Sequence, residues 1–443
     1  MLRSKLLIAY THAFTKKVKG VRKVVPGQGK TISEKILSLK SSTDAYAGDF
    51  VEAEIDYVMV NDVTGPIAFR EFESIHCEPL RDKIVLIPDH FVPNKDIPSA
   101  EQAAEMRRFA RKYGISNYYE VGRGGICHQV MIDEGFVAPG RLIVGADSHT
   151  CTYGALGAFS TGIGSTEAAA CFAEGKLWFR VPNSISVRLE GRLNGFATGK
   201  DLILCIIRDI GVDGANYMTL EFSGKGVQAL PISDRLTVSN MVVEAGAKAG
   251  IFCPDDRVFR YLKGKVRGDY SAVMPDEGAS YASEMIYNLE SIDCMVALPH
   301  SPGNVKPVRD VNVEIDQAFL GSCTNGRIED LRLAASILKR RKVHPSVRMI
   351  VVPASTRVYR QALEEGLVEI FINAGAFVSG PTCAACLGGH MGVLASGERC
   401  VSSTNRNFIG RMGHRDSEVY LANPAVVAAS AITGKITHPD DIV

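Results

Sequence analysis

Short β-branched runs that close on polar or small side chains, each followed by a helical stretch, recur along this chain and restrict it to an α/β architecture. Lys83-Ile84-Val85-Leu86-Ile87-Pro88 closes on Asp89-His90, and Ser99 to Tyr113 then reads as an amphipathic helix capped by Ser99. Arg141 to Ala146 closes on Asp147-Ser148-His149-Thr150, and a glycine-rich stretch to Gly164 leads into a helix expected from Ser165 to Trp178. The final third repeats the pattern. Ile315 to Leu320 closes on Cys323, Arg348 to Val352 on Ser355-Thr356, and Cys400 to Ser403 on Asn405-Arg406. Open α/β sheets bind ligands in the crevice outside the carboxyl ends of their strands. The chemically capable residues of the first and last thirds sit at those ends, so two α/β units facing one crevice is the expected arrangement, with the middle segment as a further layer or domain.

The expected division is 28–182, 183–305 and 306–443, with boundaries at Pro182-Asn183 and in the proline-rich stretch Pro299 to Pro307. A chain of 443 residues with 46% hydrophobic content can fill two or three such domains. Its near-zero net charge hides an asymmetry. Residues 1–30 hold eight Lys and Arg and no acid, and the remaining 42 basic residues face 49 acidic ones, so the body carries about −7. That balance argues against a nucleic-acid-binding surface. The basic leader, residues 1–27, reads as a disordered extension or an upstream start rather than a transit peptide, because its arginine content is low. Leu6 to Ala9 is too short for a secretory or membrane segment, and no other run has the length of a span. Eleven cysteines, an odd number without framework spacing, indicate a reducing compartment, and the cytoplasm is the expected location.

Three cysteines stand among small residues just after strand-like runs: Cys323 in Gly321-Ser322-Cys323-Thr324-Asn325-Gly326-Arg327, and Cys383 and Cys386 in Thr382-Cys383-Ala384-Ala385-Cys386. Three thiolates can hold three irons of a cubane cluster and leave the fourth iron open. An electron-transfer cluster takes four cysteines, whereas Lewis-acid chemistry wants a vacant position. A zinc pair or buried free cysteines are the competing readings of the Cys-x-x-Cys alone. Asp89-His90, His128 and Asp147-Ser148-His149 form a dense acid–imidazole set, in which a carboxylate raises the imidazole pKa and fixes its tautomer for proton transfer. A Ser148 hydrolase is disfavoured, since no Gly-x-Ser-x-Gly elbow surrounds that serine. Arg406 and Arg411, five apart across Gly410, suit bidentate carboxylate binding.

Together these motifs resemble the aconitase superfamily, and within it the cluster-bearing large subunits that act on isopropylmalate and homoaconitate. The similarity runs from about Lys30 to the end. It rests on Pro88-Asp89-His90, Gly125-Ile126-Cys127-His128-Gln129, Ala146-Asp147-Ser148-His149-Thr150, Ser239-Asn240 to Glu244-Ala245-Gly246, the two cysteine motifs, and Asn405-Arg406 to Gly410-Arg411. The resemblance implies three α/β/α domains around a central [4Fe-4S] cluster on Cys323, Cys383 and Cys386, with one iron free for substrate. It implies the pairs Asp89–His90, Asp147–His128 and Glu244–His149, with His90 protonating the departing hydroxyl. Arg406 and Arg411 would hold one substrate carboxylate and Ser148 the other, while Asn240 and Asn405 support cluster and arginines. Asn61 stands where the family carries a substrate-binding glutamine. The family's fourth, swivelling domain finds no counterpart in the sequence, so a separate small subunit is expected to supply the catalytic base and the specificity loop. The activity implied is a hydro-lyase interconverting 2- and 3-isopropylmalate in leucine biosynthesis. Homoaconitate or a methylated malate is the next substrate, and a non-catalytic electron-transfer or iron-sensing protein is the competing class.

Overall fold

The computed structural model describes residues 29–443, so the expectation of a disordered leader lies outside the described residues. Three sheets organise the chain. The first is fully parallel, in the order Ile84–Leu86, Tyr57–Val60, Leu142–Gly145, Phe159–Gly162. The second is also parallel, in the order Ser283–Asn288, Ser184–Glu190, Thr219–Ser223, Ala249–Phe252. The third has seven strands. Its parallel part runs Glu418–Ala422, Arg399–Ser402, Gln317–Leu320, Arg348–Val351, Phe377–Val378, with antiparallel Met295–Ala297 and Val305–Pro307 added at one edge. The expected boundary at 305/306 therefore falls inside the last sheet: Met295–Ala297 already pairs with Glu418–Ala422, and the change of sheet comes between Asn288 and Met295.

Several strands are buried on both faces, as parallel sheets covered by helices require: Ile84–Leu86, Leu142–Gly145 and Gln317–Leu320 have no exposed residue, whereas the edge strand Ser283–Asn288 is largely exposed. Helix Pro424–Thr433 lies against the third sheet with eight of its ten residues buried, and Gly434 stops it in the left-handed conformation. Under the first sheet, Phe69, Phe72, Phe109 and Phe172 pack ring to ring, the closest centroids 3.9 Å apart. Each such ring contributes roughly 1.5–3 kcal/mol on burial.

Two local expectations are corrected. Helix Ile97–Tyr113 is capped by Asp96, whose side chain accepts from the Ser99 backbone N–H; Ser99 is the return half of that capping box, and Pro98 fits the first turn. The helix expected to reach Trp178 ends at Glu174. Gly175 turns left-handed, and Lys176–Arg180 becomes a strand paired antiparallel with Phe50–Glu54. Among the described residues, no helix is long and apolar enough to cross a membrane.

Candidate active site

The carboxyl ends of the first and third sheets meet. Asp89 and His90 follow Ile84–Leu86, Asp147 caps a 3-10 turn after Leu142–Gly145, and Asn405 and Arg406 follow Arg399–Ser402. Contact between the sheets is direct, since the Cys383 N–H and the Thr382 hydroxyl both donate to the Asp89 carbonyl, at 2.7 and 3.1 Å.

On the first-sheet side, each imidazole holds a carboxylate. His90 Nδ1 lies 2.6 Å from Asp89 Oδ1, while Asp89 Oδ2 accepts from the Cys127 N–H at 2.7 Å. Burial pulls the His90 pKa down, but Asp89, with Asp147 and Asp62 behind it, outweighs that and raises it to about 10. His128, on the helix Cys127–Asp133, places Nε2 2.9 Å from Asp147 Oδ1. Asp147 also accepts from the His149 N–H at 2.8 Å; burial opposes its ionisation, but His128 and His149 hold its carboxyl well below the usual range. His149 Nε2 lies 3.1 Å from Glu244 Oε1, and the Arg406 Nε donates to that same oxygen at 2.7 Å. Burial works against both ionised groups, yet Asp147 and Glu244 together raise His149, and His149 and Arg406 together lower Glu244. The Ser148 hydroxyl sits 3.4 Å from His149 Nδ1.

On the third-sheet side, Cys323, Cys383 and Cys386 are all buried and free of disulfides. Gly321, at φ +151°, lets the strand Gln317–Leu320 turn sharply; a Cβ there would stand 2.6 Å from the Val352 carbonyl oxygen. Ser322 at φ 73° and Ala384 at φ 50° flank two of the cysteines in the left-handed region, each costing of order 1–3 kcal/mol. Strain of this kind, placed beside the thiols, marks a backbone shaped for something other than its own stability. Asn240 Nδ2 and Asn405 Nδ2 donate to Cys323 Sγ at 3.3 and 3.5 Å, and Arg411 Nη2 points at Cys386 Sγ from 4.0 Å. The Asn240 oxygen accepts from the Thr324 hydroxyl at 3.0 Å and from Asn405 Nδ2 at 3.3 Å, and its nitrogen donates both to the Thr152 hydroxyl at 2.8 Å and to the sulphur. Sulphurs surrounded by N–H donors and a guanidinium suit thiolates, the form that binds metal. Cys383 and Arg411 depress the Cys386 thiol to about 5 against the effect of burial, whereas burial pushes Cys323 up to about 12 and the contact with Cys386, with burial, raises Cys383, so within this set Cys386 is the thiol that ionises first.

Asn61 is buried, and its side-chain oxygen is spent locally, accepting from the Val63 and Thr64 N–H groups and the Thr64 hydroxyl. Its amide nitrogen is what remains for a ligand. Three residues outside the sequence-derived set complete the arrangement. Asp62, fully buried, accepts from the backbone N–H groups of Asp89, His90 and Phe91 at 2.8–2.9 Å and so fixes the His90 loop. The Tyr153 hydroxyl meets His128 Nδ1 at 3.1 Å. Lys200, which burial drives down to about 7, donates to the carbonyls of Ser403 and Thr404 and anchors the strand end that carries Asn405 and Arg406. A carboxylate just after Tyr57–Val60 was a visible signal for Asp62; Tyr153 and Lys200 carried none, since each acts on a loop distant in sequence.

Buried thiols opposite a row of imidazole–carboxylate pairs, at the converging strand ends of the first and third sheets, bring metal-ligating and titratable groups into one place. The chain belongs to the aconitase family (aconitate hydratase), whose model matches residues 34–314 and 306–434. Membership implies an iron–sulfur cluster, and the donor set of Cys323, Cys383 and Cys386 fits one. The chain is 52% identical over 419 residues to the 3-isopropylmalate dehydratase large subunit of Halothermothrix orenii, a match covering 94% of this chain and 100% of the relative. It is 54% identical over 413 residues to the protein of the same name from Picrophilus torridus, covering 93% and 100%. The counterpart from Thermodesulfovibrio yellowstonii is 52% identical over 418 residues, covering 94% and 99%.

Proposed function

We propose that this chain is the cluster-bearing large subunit of a hydro-lyase that interconverts 2- and 3-isopropylmalate by dehydration and rehydration, a step of leucine biosynthesis. The observation that carries the reading is the meeting of three buried cysteines, with N–H donors on the Cys323 and Cys386 sulphurs, and three imidazole–carboxylate pairs. The name shared by relatives half-identical over nearly the whole chain supports the choice of substrate. A [4Fe-4S] cluster on Cys323, Cys383 and Cys386, with one iron lacking a protein ligand, supplies Lewis acidity to a substrate hydroxyl and carboxylate when bound.

The chain's own residues do the rest. His90 delivers a proton to the departing hydroxyl: Asp89 occupies Nδ1 and fixes the tautomer, so Nε2 is the nitrogen that carries the transferable proton. A pKa near 10 keeps that ring charged at neutral pH. Arg406 and Arg411 grip a substrate carboxylate, and Glu244 steadies Arg406 through its Nε alone, so the terminal nitrogens are not used in that contact. Ser148 and the Asn61 amide reach the substrate's other polar groups, while Asp147 and His128 hold the charge balance between His90 and His149. A separate small subunit supplies the base that removes the carbon-bound proton and the loop that reads the isopropyl group. The cytoplasm is the proposed location, in keeping with eleven free cysteines.

The test is reconstitution. Cluster-loaded chain alone should turn over neither isopropylmalate isomer, and addition of the small subunit should start the reaction. Turnover by the chain alone would sink the two-subunit reading, and a mixed enzyme faster on homoaconitate than on isopropylmalate would replace the substrate.

A further inference from the structure

Arg327 ends the cysteine motif that begins at Gly321, and its side chain folds back onto the turn that carries Cys323. Nη2 donates to the Cys323 carbonyl at 2.7 Å and Nη1 to the Thr324 carbonyl at 2.6 Å. Nη1 also reaches the Thr237 hydroxyl at 3.3 Å and the Ser233 carbonyl at 3.5 Å, both on the helix Ile232–Met241. Asn240, which donates to the Cys323 sulphur, stands on that same helix. The backbone and the sulphur of one cysteine are thus keyed to one helix. A fork of donors suits this grip, but the grip by itself asks for N–H groups and not for a charge.

The charge needs its own reason. Arg327 is only 4% exposed, and its guanidinium donates to carbonyl and hydroxyl oxygens, none of them a carboxylate. Asp330, three residues on, accepts instead from the Arg327 backbone N–H and from Asn325 Nδ2, both at 2.9 Å. The other deeply buried arginine of this region is treated differently: Arg235 forks onto the Asp255 carboxylate at 2.9 and 2.6 Å. Taking a guanidinium out of water without a carboxylate against it is costly, so a structural role alone would favour a neutral side chain here. Three thiolates on an iron–sulfur core carry net negative charge that grows on reduction, and cluster potentials follow the charge around them. We propose that Arg327 is a positioning residue whose guanidinium is the buried counter-charge of the cluster on Cys323, Cys383 and Cys386, setting its reduction potential and its hold on the chain. The inference rests on the cluster reading given above.

Two variants separate the charge from the grip. Arg327→Gln removes the charge and keeps an amide donor, whereas Arg327→Lys keeps the charge and gives up the fork. A redox titration of the cluster-loaded chain, followed by electron paramagnetic resonance without substrate or small subunit, reads the potential. In Arg327→Gln the ratio of reduced to oxidised cluster at a fixed potential should fall about tenfold, which is about 59 mV for one electron. Arg327→Lys should stay near wild type. Chemical denaturation with and without cluster gives the second reading. Cluster-free Arg327→Gln should be at least as stable as cluster-free wild type, while the stability gained on loading the cluster should shrink. Failure to take up cluster in Arg327→Gln but not in Arg327→Lys also supports the proposal. It is overturned if Arg327→Gln keeps the wild-type potential, if Arg327→Lys shifts as far as Arg327→Gln or takes up no cluster, or if Arg327→Gln destabilises the cluster-free and loaded chains alike. A wild-type chain that takes up no cluster would sink the cluster reading and this inference with it, whereas a failure confined to the variants leaves that reading standing.

Discussion

The two faces of the crevice are built by different rules. On the first-sheet face, His90, His128 and His149 each have their carboxylate within 3.1 Å, so the proton-handling groups are partnered by the chain itself. On the third-sheet face, amide donors reach the Cys323 sulphur and a guanidinium points at that of Cys386, and backbone in the left-handed region flanks Cys323 and Cys383. One face is complete as folded. On the proposed function the other has a cluster to hold, and its order should then depend on that group.

The comparison is open to breaking at several points, beginning with the largest effect. Cys386→Ser should abolish the cluster's visible absorbance and all turnover of the reconstituted enzyme, while far-ultraviolet circular dichroism stays that of wild type. Collapse of the fold as well would show that the faces are not independent. Asp89→Asn should do the reverse, leaving iron content unchanged and lowering kcat about 10²–10⁴-fold, the usual worth of a positioned acid.

The same variant shifts the pH profile. With Asp89 present the His90 pKa stands at about 10 instead of 6.5, so the acid form persists to alkaline pH. Without it, the alkaline limb of kcat/KM should move down toward the ordinary histidine value. Because the folded pKa is raised, the pair's stabilisation is full below pH 6.5 and is lost as pH rises through about 10. Denaturant midpoints of wild type and Asp89→Asn should therefore converge at high pH, and parallel curves would refute the assignment.

Asn405→Ala should weaken cluster retention by about 10–100-fold, read as the rate of iron loss to a chelator, because it removes a donor from Cys323 and a partner from Asn240. Tyr153→Phe is the mildest. It deprives His128 Nδ1 of its partner and should cost about 1–3 kcal/mol of stability in chemical denaturation, with iron content intact.

The pattern of strand runs closing on chemical residues made the α/β class and the crevice legible, because a parallel strand end is a local signal. It also brought the cysteines, the imidazoles and both arginines into view as candidates. What lay beyond it depended on distance in the chain. Tyr153 acts on a ring 25 residues away, and Lys200 on carbonyls 203 and 204 residues away, contacts no local pattern announces. The proline-rich stretch Pro299 to Pro307 reads as a linker and so puts Met295–Ala297 in the middle domain, whereas pairing with Glu418–Ala422 decides its place. Asn61 shows a different limit: its position was legible, but not that its carbonyl is consumed by its own turn.

The most direct test of the central claim is Mössbauer spectroscopy of the ⁵⁷Fe-loaded chain mixed with its small subunit, recorded before and after addition of isopropylmalate. One iron of the four should change its spectrum on addition, as the iron that lacks a protein ligand takes up substrate. Four irons that all ignore substrate would contradict the account.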